Sequence, residues 1–209
     1  MTKTLLTAAT LALALGSAHA LPDAQFEPAF ELFTQASAGQ GSPEAAAQAF
    51  AALHAQEPAN PVLLAYQGAA TAMQARGTLL PWKKMGYAED GLALLDKALA
   101  LLAARHATPL QHGTPGTLEV KFTAASTFLA VPGFMNRRER GQKLLDEVLA
   151  SPLLAQAPLA FRGSVWMAAA DAAARSDQPA QARRWLDQVV HAQAPQAARA
   201  QTRLKELAP

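Results

Sequence analysis

Apolar residues recur at helical spacing from Phe26 to the end of the chain, and no stretch alternates between apolar and polar residues as a strand would. Ser42 and Asn60 each stand directly before a proline, which is the order of a helix N-cap followed by the first helical turn. The segment Asp177-Gln178-Pro179 has a similar order. The pattern predicts nine helices joined by short turns, and therefore an all-α protein.

Equivalent positions also recur at a longer interval. Phe30 and Leu64 open comparable helices and lie 34 residues apart. Trp166 stands sixteen residues before Ala182, which is also the separation of Phe30 from Ala46. In each predicted second helix a small residue is followed four positions later by a bulky apolar one. The small residues are Ala46, Gly91, Gly141 and Ala182. Such a repeat indicates stacked helix pairs.

In this pattern the chain resembles the tetratricopeptide repeat family, over about Phe26 to Ala194. The resemblance implies a right-handed α-solenoid of about four tetratricopeptide-like helical hairpins. The expected pairs are residues 26–56, 61–104, 117–150 and 159–192. A ninth helix over 196–207 is expected to cap the last pair, since end repeats must cover an exposed apolar face. A near relative with the same helix-pair geometry would give the same spacing.

The first twenty residues have the pattern of a secretory signal peptide. Lys3 is followed by an apolar stretch from Leu5 to Leu15, and Ala18-His19-Ala20 is a small-x-small cleavage pattern. The stretch is shorter than the ~20 residues that a transmembrane helix needs; a buried core helix is the alternative. We expect cleavage after Ala20, a periplasmic or secreted location, and one mature domain over 21–209 without a transmembrane segment.

Composition removes several classes of function. The chain contains no cysteine, which excludes disulfides, thiolate catalysis and Cys-ligated metals. Its formal net charge is +2 and 16% of its residues are charged. Nucleic-acid-binding proteins normally show a basic stripe or a larger positive charge. We therefore expect no nucleic-acid partner.

Candidate catalytic groups are few and scattered. His106 and His112 share a predicted loop that has no nearby carboxylate, and Ser164 is expected to cap a helix. The chain has no Gly-rich phosphate loop and no nucleophile elbow. An enzyme would need a convergent acid–base site around Asp171, Glu119 or His106. We therefore predict a non-catalytic protein with no catalytic residue, no metal site and no cofactor.

The resemblance implies a concave groove lined by the first helices of the pairs. The side chains that fall there by register are small and weakly polar. The residues expected to bind a partner in this groove are Glu31, Gln35, Met73, Ser126, Met167 and Asp171. A groove nearly devoid of lysine and arginine would suit a helix or an extended apolar peptide. The alternative is an alanine-rich groove that is simply packed against the ninth helix.

Two turns carry aromatic and basic residues and are longer than the family spacing. They cover 78–87 in the second pair and 131–138 in the third. Because equivalent turns of stacked repeats emerge on one edge, we expect a single partner-binding loop edge. Its predicted residues are Trp82, Lys83, Lys84, Met85, Tyr87, Phe134, Arg137 and Arg138. Such an edge suits a protein or peripheral contact with anionic headgroups; otherwise the aromatics fold back and leave a solvated basic rim.

Together these patterns predict a protein–protein interaction module, which would act as an adaptor or assembly factor of the bacterial cell envelope. Its expected partner is another envelope protein or a peptide. A binder of a small apolar ligand or lipid in the groove is the alternative. An adaptor should co-purify with an envelope protein, whereas a ligand binder should carry a bound molecule in a deep pocket.

Overall fold

The computed structural model describes residues 21–207, so the predicted signal peptide lies outside the described residues. Within them the protein is all-α apart from one short antiparallel hairpin, which confirms the all-α part of the predicted fold. The helices are α1 (Asp23–Ser37), α2 (Pro43–Gln56), α3 (Pro61–Met73), α4 (Pro81–Ala100), α5 (Gly116–Ala130), α6 (Arg138–Leu149), α7 (Leu159–Arg175), α8 (Pro179–His191) and α9 (Ala197–Glu206). No helix in this range is both long and apolar enough to span a membrane.

The hairpin was not expected from the sequence. Its strands are β1 (Pro109–Gln111) and β2 (Thr114–Pro115), in the segment that was predicted to be a loop. The turn between them places His112 and Gly113 at φ +30° and +75°. Strands of three and two residues are too short to show the alternation that identifies a strand.

Local capping sets two of the predicted helix starts. Ser42 Oγ accepts a hydrogen bond from the Ala45 amide at 3.1 Å, at the start of α2. Asn60 Oδ1 accepts one from the Val62 amide at 3.0 Å, at the start of α3. Both predicted N-caps are therefore confirmed. The start of α8 falls at the expected proline, but without a side-chain cap.

Consecutive helices pack together as α1 with α2, α3 with α4, α5 with α6, and α7 with α8. The first helices of successive pairs also touch, α1 with α3, α3 with α5, and α5 with α7. The last helix, α9, packs on α8. Helices α1, α3, α5 and α7 therefore form a contiguous row along the protein.

Small residues let the helices of a pair approach closely. A Cβ added at Gly91 of α4 would lie 2.5 Å from the Ala72 amide nitrogen and 2.5 Å from the Gly68 carbonyl oxygen. At Gly141 of α6, an added Cβ would lie 3.0 Å from the Cβ of Phe128 on α5. The bulky residues four positions after the small ones are all buried: Phe50, Leu95, Leu145 and Leu186. The repeated small-then-bulky pattern thus corresponds to core packing.

Candidate functional site

A buried carboxylate connects α3 and α5 to the hairpin, and a second carboxylate connects α1 to it. Glu119 on α5 is 1% exposed, and its Oε1 accepts a hydrogen bond from the Tyr66 hydroxyl of α3 at 2.8 Å. The same oxygen lies 2.7 Å from Nε2 of His112 in the hairpin turn. The His112 amide donates to Asp23 Oδ1 of α1 at 3.0 Å. We call Tyr66, His112 and Glu119 the buried polar centre.

This geometry corrects the sequence prediction for the two histidines. The expectation that His112 has no nearby carboxylate was wrong, because the hairpin turn brings its ring back to Glu119. His106 is different: it is buried, and its Nδ1 accepts a hydrogen bond from the Ala103 amide at 3.0 Å. A convergent pair of titratable groups therefore exists around Glu119, although the sequence showed no sign of it.

Burial and mutual contact shift the pKa values of the centre. Burial raises the pKa of Glu119, and the hydrogen bonds from His112 and Tyr66 oppose this only in part. Burial lowers the pKa of His112, but the hydrogen bond and charge of Glu119, together with the charges of Glu27 and Asp23, outweigh it and leave the pKa raised. Burial, then the Glu119 charge, raises the pKa of Tyr66 well above its ordinary value.

We expect the free energy of unfolding to fall as the pH rises through the titration of this centre. The pKa of His112 is raised above its ordinary 6.5 on folding, so its stabilisation is complete below pH 6.5 and is lost as the pH passes the folded pKa. The raised pKa of Glu119 also lowers the free energy of unfolding as the pH rises, beginning at the ordinary pKa of 4.5. Urea unfolding of wild type and Glu119→Gln across neutrality measures the effect.

The difference between those two pH profiles isolates the centre. His54 and His106, whose pKa values are lowered chiefly by burial, titrate in both proteins and cancel in the comparison. The stability of wild type relative to Glu119→Gln should decline with rising pH. If the two proteins had the same pH dependence of stability, the His112–Glu119 contact would not shift the pKa values of these groups on folding.

The centre is best explained as a structural anchor. The His112 ring lies against Phe26 and Phe30, with centroid separations of 5.0 and 4.8 Å. Glu119 is almost inaccessible to a substrate, and the Tyr66 ring is enclosed by four phenylalanines of α1 and α2. No group of three or more histidine or acidic side chains within residues 21–207 is placed to hold a metal ion.

A separate cavity of about 320 Å³ lies beside α5, α7 and the start of α9. Three predicted groove residues line it together: Ser126, Met167 and Asp171. Leu129 and Ala168 add apolar surface next to the buried Met167. Asp171 is already paired with Arg203 of α9, with 2.9 Å between Oδ1 and Nη2. Three of the six predicted groove residues therefore lie around one cavity, and their role in binding stays a prediction.

Two arginines on the rim change the predicted character of this site. Arg175 ends α7 and Arg199 lies in α9, and both line the cavity. Both are exposed, and neither forms an ion pair with any described residue. The predicted groove residues include neither of these arginines. The predicted groove residues were the inward positions of the first helices of the pairs. The cavity also includes Arg175 at the end of α7 and Arg199 on α9, which do not belong to that set.

Ser164 and Gln196 border the cavity on the side of α9. Ser164 lies inside α7 and donates to the Ala160 carbonyl at 3.1 Å, so its predicted role as a cap is wrong. The side-chain nitrogen of Gln196 donates to Ser164 Oγ and to the Ala160 carbonyl, both at 3.0 Å. These bonds tie the segment before α9 to α7 and fix one wall of the cavity.

The other three groove predictions lie outside the cavity. Glu31 and Gln35 are exposed on α1, where Gln35 Nε2 donates to Glu31 Oε1 at 3.2 Å. Met73 is buried at the end of α3, and its sulfur accepts a hydrogen bond from the Ser37 hydroxyl at 3.6 Å. Met73 therefore belongs to the core between α1, α2 and α3.

The predicted loop edge has a different local structure from the one expected. Helix α4 begins at Pro81, so the segment from residue 81 to 87 is helical and only the residues before it form the turn. This places Trp82, Lys83, Lys84, Met85 and Tyr87 on the first two turns of α4. Phe134 lies in a short 3₁₀ helix, Gly133–Met135, and is exposed. Arg137 and Arg138 stand at the start of α6.

The structure does not bring Arg137 to the lysines. A guanidinium nitrogen of Arg137 lies 3.0 Å from Asp96 Oδ2, and Arg140 pairs with the same carboxylate. Asp96 follows Lys83 by thirteen residues on α4, about 20 Å at the helical rise of ~1.5 Å per residue. Both arginines also lie over the Phe128 ring, at 5.3 and 5.4 Å. They connect α6 to the later turns of α4.

Comparison with protein-family models, with curated proteins and with solved structures gives no match. The tetratricopeptide resemblance therefore stays a prediction from residue spacing. The cavity, the buried polar centre and the exposed start of α4 are the features of residues 21–207 that bear on function.

Proposed function

We propose that the protein is a non-catalytic interaction module of the bacterial cell envelope, an adaptor or assembly factor that holds a segment of another protein. The observation that carries the proposal is the cavity beside α5, α7 and α9, where apolar side chains adjoin two arginines that form no ion pair with a described residue. The predicted signal peptide supports a periplasmic or secreted location.

The proposed architecture is one right-handed solenoid of about four tetratricopeptide-like helix pairs, with α9 as the cap. The contacts between the first helices of successive pairs support this arrangement. Burial of the repeated small and bulky residues also supports it. In such a stack, the cavity lies at the α5–α7 end of the row formed by α1, α3, α5 and α7, so a partner segment held there contacts that end of the row.

The cavity favours an extended segment that carries an apolar side chain and a carboxylate. Met167 and Leu129 would accept the apolar group, since apolar surface leaves water on binding. Arg175 and Arg199 would pair with the carboxylate through charge-assisted hydrogen bonds, for which the planar guanidinium is well suited. The volume is at the lower end of the range for ligand sites, roughly 300–1,000 Å³, so a few side chains fill it.

Peptides that bind the purified protein, selected from a random library, should lose affinity in Arg199→Glu. The substitution removes a charge-assisted hydrogen bond worth about 1.5–3 kcal/mol, which corresponds to a loss of roughly 10- to 150-fold. Fluorescence anisotropy of the labelled peptide measures the change. The matched control is Arg184→Glu on α8, an exposed arginine away from the cavity. Retained binding in Arg199→Glu, or equal loss in both variants, would remove the cavity from the proposal.

A small apolar ligand or lipid in the same cavity is the second candidate, favoured by the buried Met167 in the cavity wall. Native mass spectrometry of the purified protein separates the two functions. A bound small molecule that is lost in Ser126→Trp, a substitution that fills the cavity, would favour the ligand binder. Selected peptides that compete for the site, with no bound molecule, favour the interaction module.

A further inference from the structure

The start of α4 exposes a run of large apolar side chains. All seven residues from Leu79 to Met85 are exposed, and we call this segment the α4 tip. Its apolar members are Leu79 at 93%, Leu80 at 40%, Trp82 at 69% and Met85 at 38% exposed. Within residues 21–207 only one other large apolar side chain, Phe134, is exposed to this degree. Apolar exposure is therefore concentrated in one short segment.

The α4 tip contributes no buried side chain to the core. A Cβ added at Gly86, the residue after the tip, would meet nothing within 4 Å. Fully buried positions on α4 begin only at Ala88. Neither the cavity beside α5, α7 and α9 nor the buried polar centre includes a residue of the tip. The exposed apolar side chains of the tip are thus not accounted for by the core, the cavity or the buried polar centre.

The charged residues within the tip and in the stretch of chain from residue 58 that precedes it are all basic. Between residues 58 and 88 the chain has no aspartate or glutamate, whereas it has Arg76, Lys83 and Lys84. Neither lysine forms an ion pair with a described residue. Lysines in the first turn of a helix are unfavourable for the helix dipole, which prefers acidic residues there. Helix stability therefore does not account for these charges, but attraction to an anionic surface does.

We propose that the α4 tip binds the surface of an anionic lipid bilayer. Trp82 and the leucines would enter the boundary between headgroups and acyl chains, where tryptophan is favoured. Lys83 and Lys84 would remain at the level of the anionic headgroups. Acidic residues resume at Glu89 and Asp90, two turns along α4, and limit insertion to about 10 Å. Exposed apolar side chains with adjacent lysines fit the boundary of an anionic bilayer better than the core of a protein interface, where charged residues are depleted.

Vesicle binding by the purified protein tests the proposal. The two preparations are phosphatidylcholine alone and phosphatidylcholine mixed with phosphatidylglycerol. Trp82 is far more exposed than Trp166, so its transfer to lipid should shift the emission to shorter wavelength. We expect the shift and co-sedimentation with the mixed vesicles only, weakened by added salt. Absence of binding, or equal binding to both preparations, would overturn the proposal.

Matched variants locate the contact. Lys83→Gln with Lys84→Gln should weaken partitioning roughly 30-fold, from about fivefold per lysine near an anionic surface. Trp82→Ala should also release the protein in sedimentation, whereas Phe134→Ala, which removes an aromatic of nearly equal exposure (67%), should not. Unchanged vesicle binding in the tip variants, or an equal loss of binding in Phe134→Ala, would contradict the proposal that the α4 tip binds the bilayer. Peptide binding at the cavity should be unaffected in all of them, which separates this test from that of the proposed function.

Discussion

Replacing Gly91 with alanine is expected to lower the free energy of unfolding by about 3 kcal/mol, the upper end of the usual range for an overpacked core. The new Cβ would lie 2.5 Å from both the Ala72 amide nitrogen and the Gly68 carbonyl oxygen. These are backbone atoms, so relief requires α3 and α4 to move apart. Urea denaturation followed by circular dichroism measures the change.

The same helix provides the control. A Cβ added at Gly86 meets nothing within 4 Å, so Gly86→Ala should stabilise the protein by up to ~1 kcal/mol through the better helix propensity of alanine. Identical substitutions in one helix should therefore have opposite effects. Similar effects at both positions would contradict the close approach of α3 and α4.

Replacing His112 with alanine is expected to destabilise the protein by about 3–5 kcal/mol, because it leaves the buried Glu119 carboxylate without its charged partner. Only the Tyr66 hydroxyl would still donate to that carboxylate. The control is His191→Ala, an exposed histidine at the end of α8, which should change stability by less than ~0.5 kcal/mol. Chemical denaturation at pH 6, where the raised pKa of His112 favours its protonated form in the folded state, measures both variants.

A double variant separates the charge effect from lost packing. Combining His112→Ala with Glu119→Leu removes both members of the pair, so no uncompensated buried carboxylate remains. The double variant should be more stable than His112→Ala alone, since unpaired burial is the main penalty. Additive losses would show that the contact of His112 with Phe26 and Phe30, and not its charge, is what matters.

The helices could be predicted because their signals are local. Ser42 and Asn60 cap within three residues of themselves, and the small-then-bulky spacing lies within single helices. The buried polar centre depends on distant parts of the chain instead. Tyr66 and Glu119 are 53 residues apart, and the turn that brings His112 back has two consecutive residues at positive φ. The spacing of residues within one helix cannot predict a contact between side chains on different elements, such as that of Tyr66 with Glu119.

The groove and the loop edge show a second limit. Helical register correctly grouped Ser126, Met167 and Asp171, which lie on neighbouring helices of the row. A single loop edge would form only if the equivalent turns of the second and third pairs lay at the same level along the helix axes. However, α4 has 20 residues and α6 only 12, so the start of α4 extends beyond the comparable turn. The sequence shows which residues recur. The position of each turn, however, depends on how many residues each helix has before the recurring small residue.

Site-specific photocrosslinking in cells tests the interaction module most directly. A photoreactive side chain is placed at Ala130, an exposed residue that lines the cavity, and, as the control, at Gln35, a predicted groove residue outside it. The account predicts that one envelope protein is crosslinked through one segment from Ala130, that Gln35 does not give this adduct, and that Arg199→Glu removes it. No adduct from Ala130, or the same adducts from both positions, would contradict a partner segment held in the cavity.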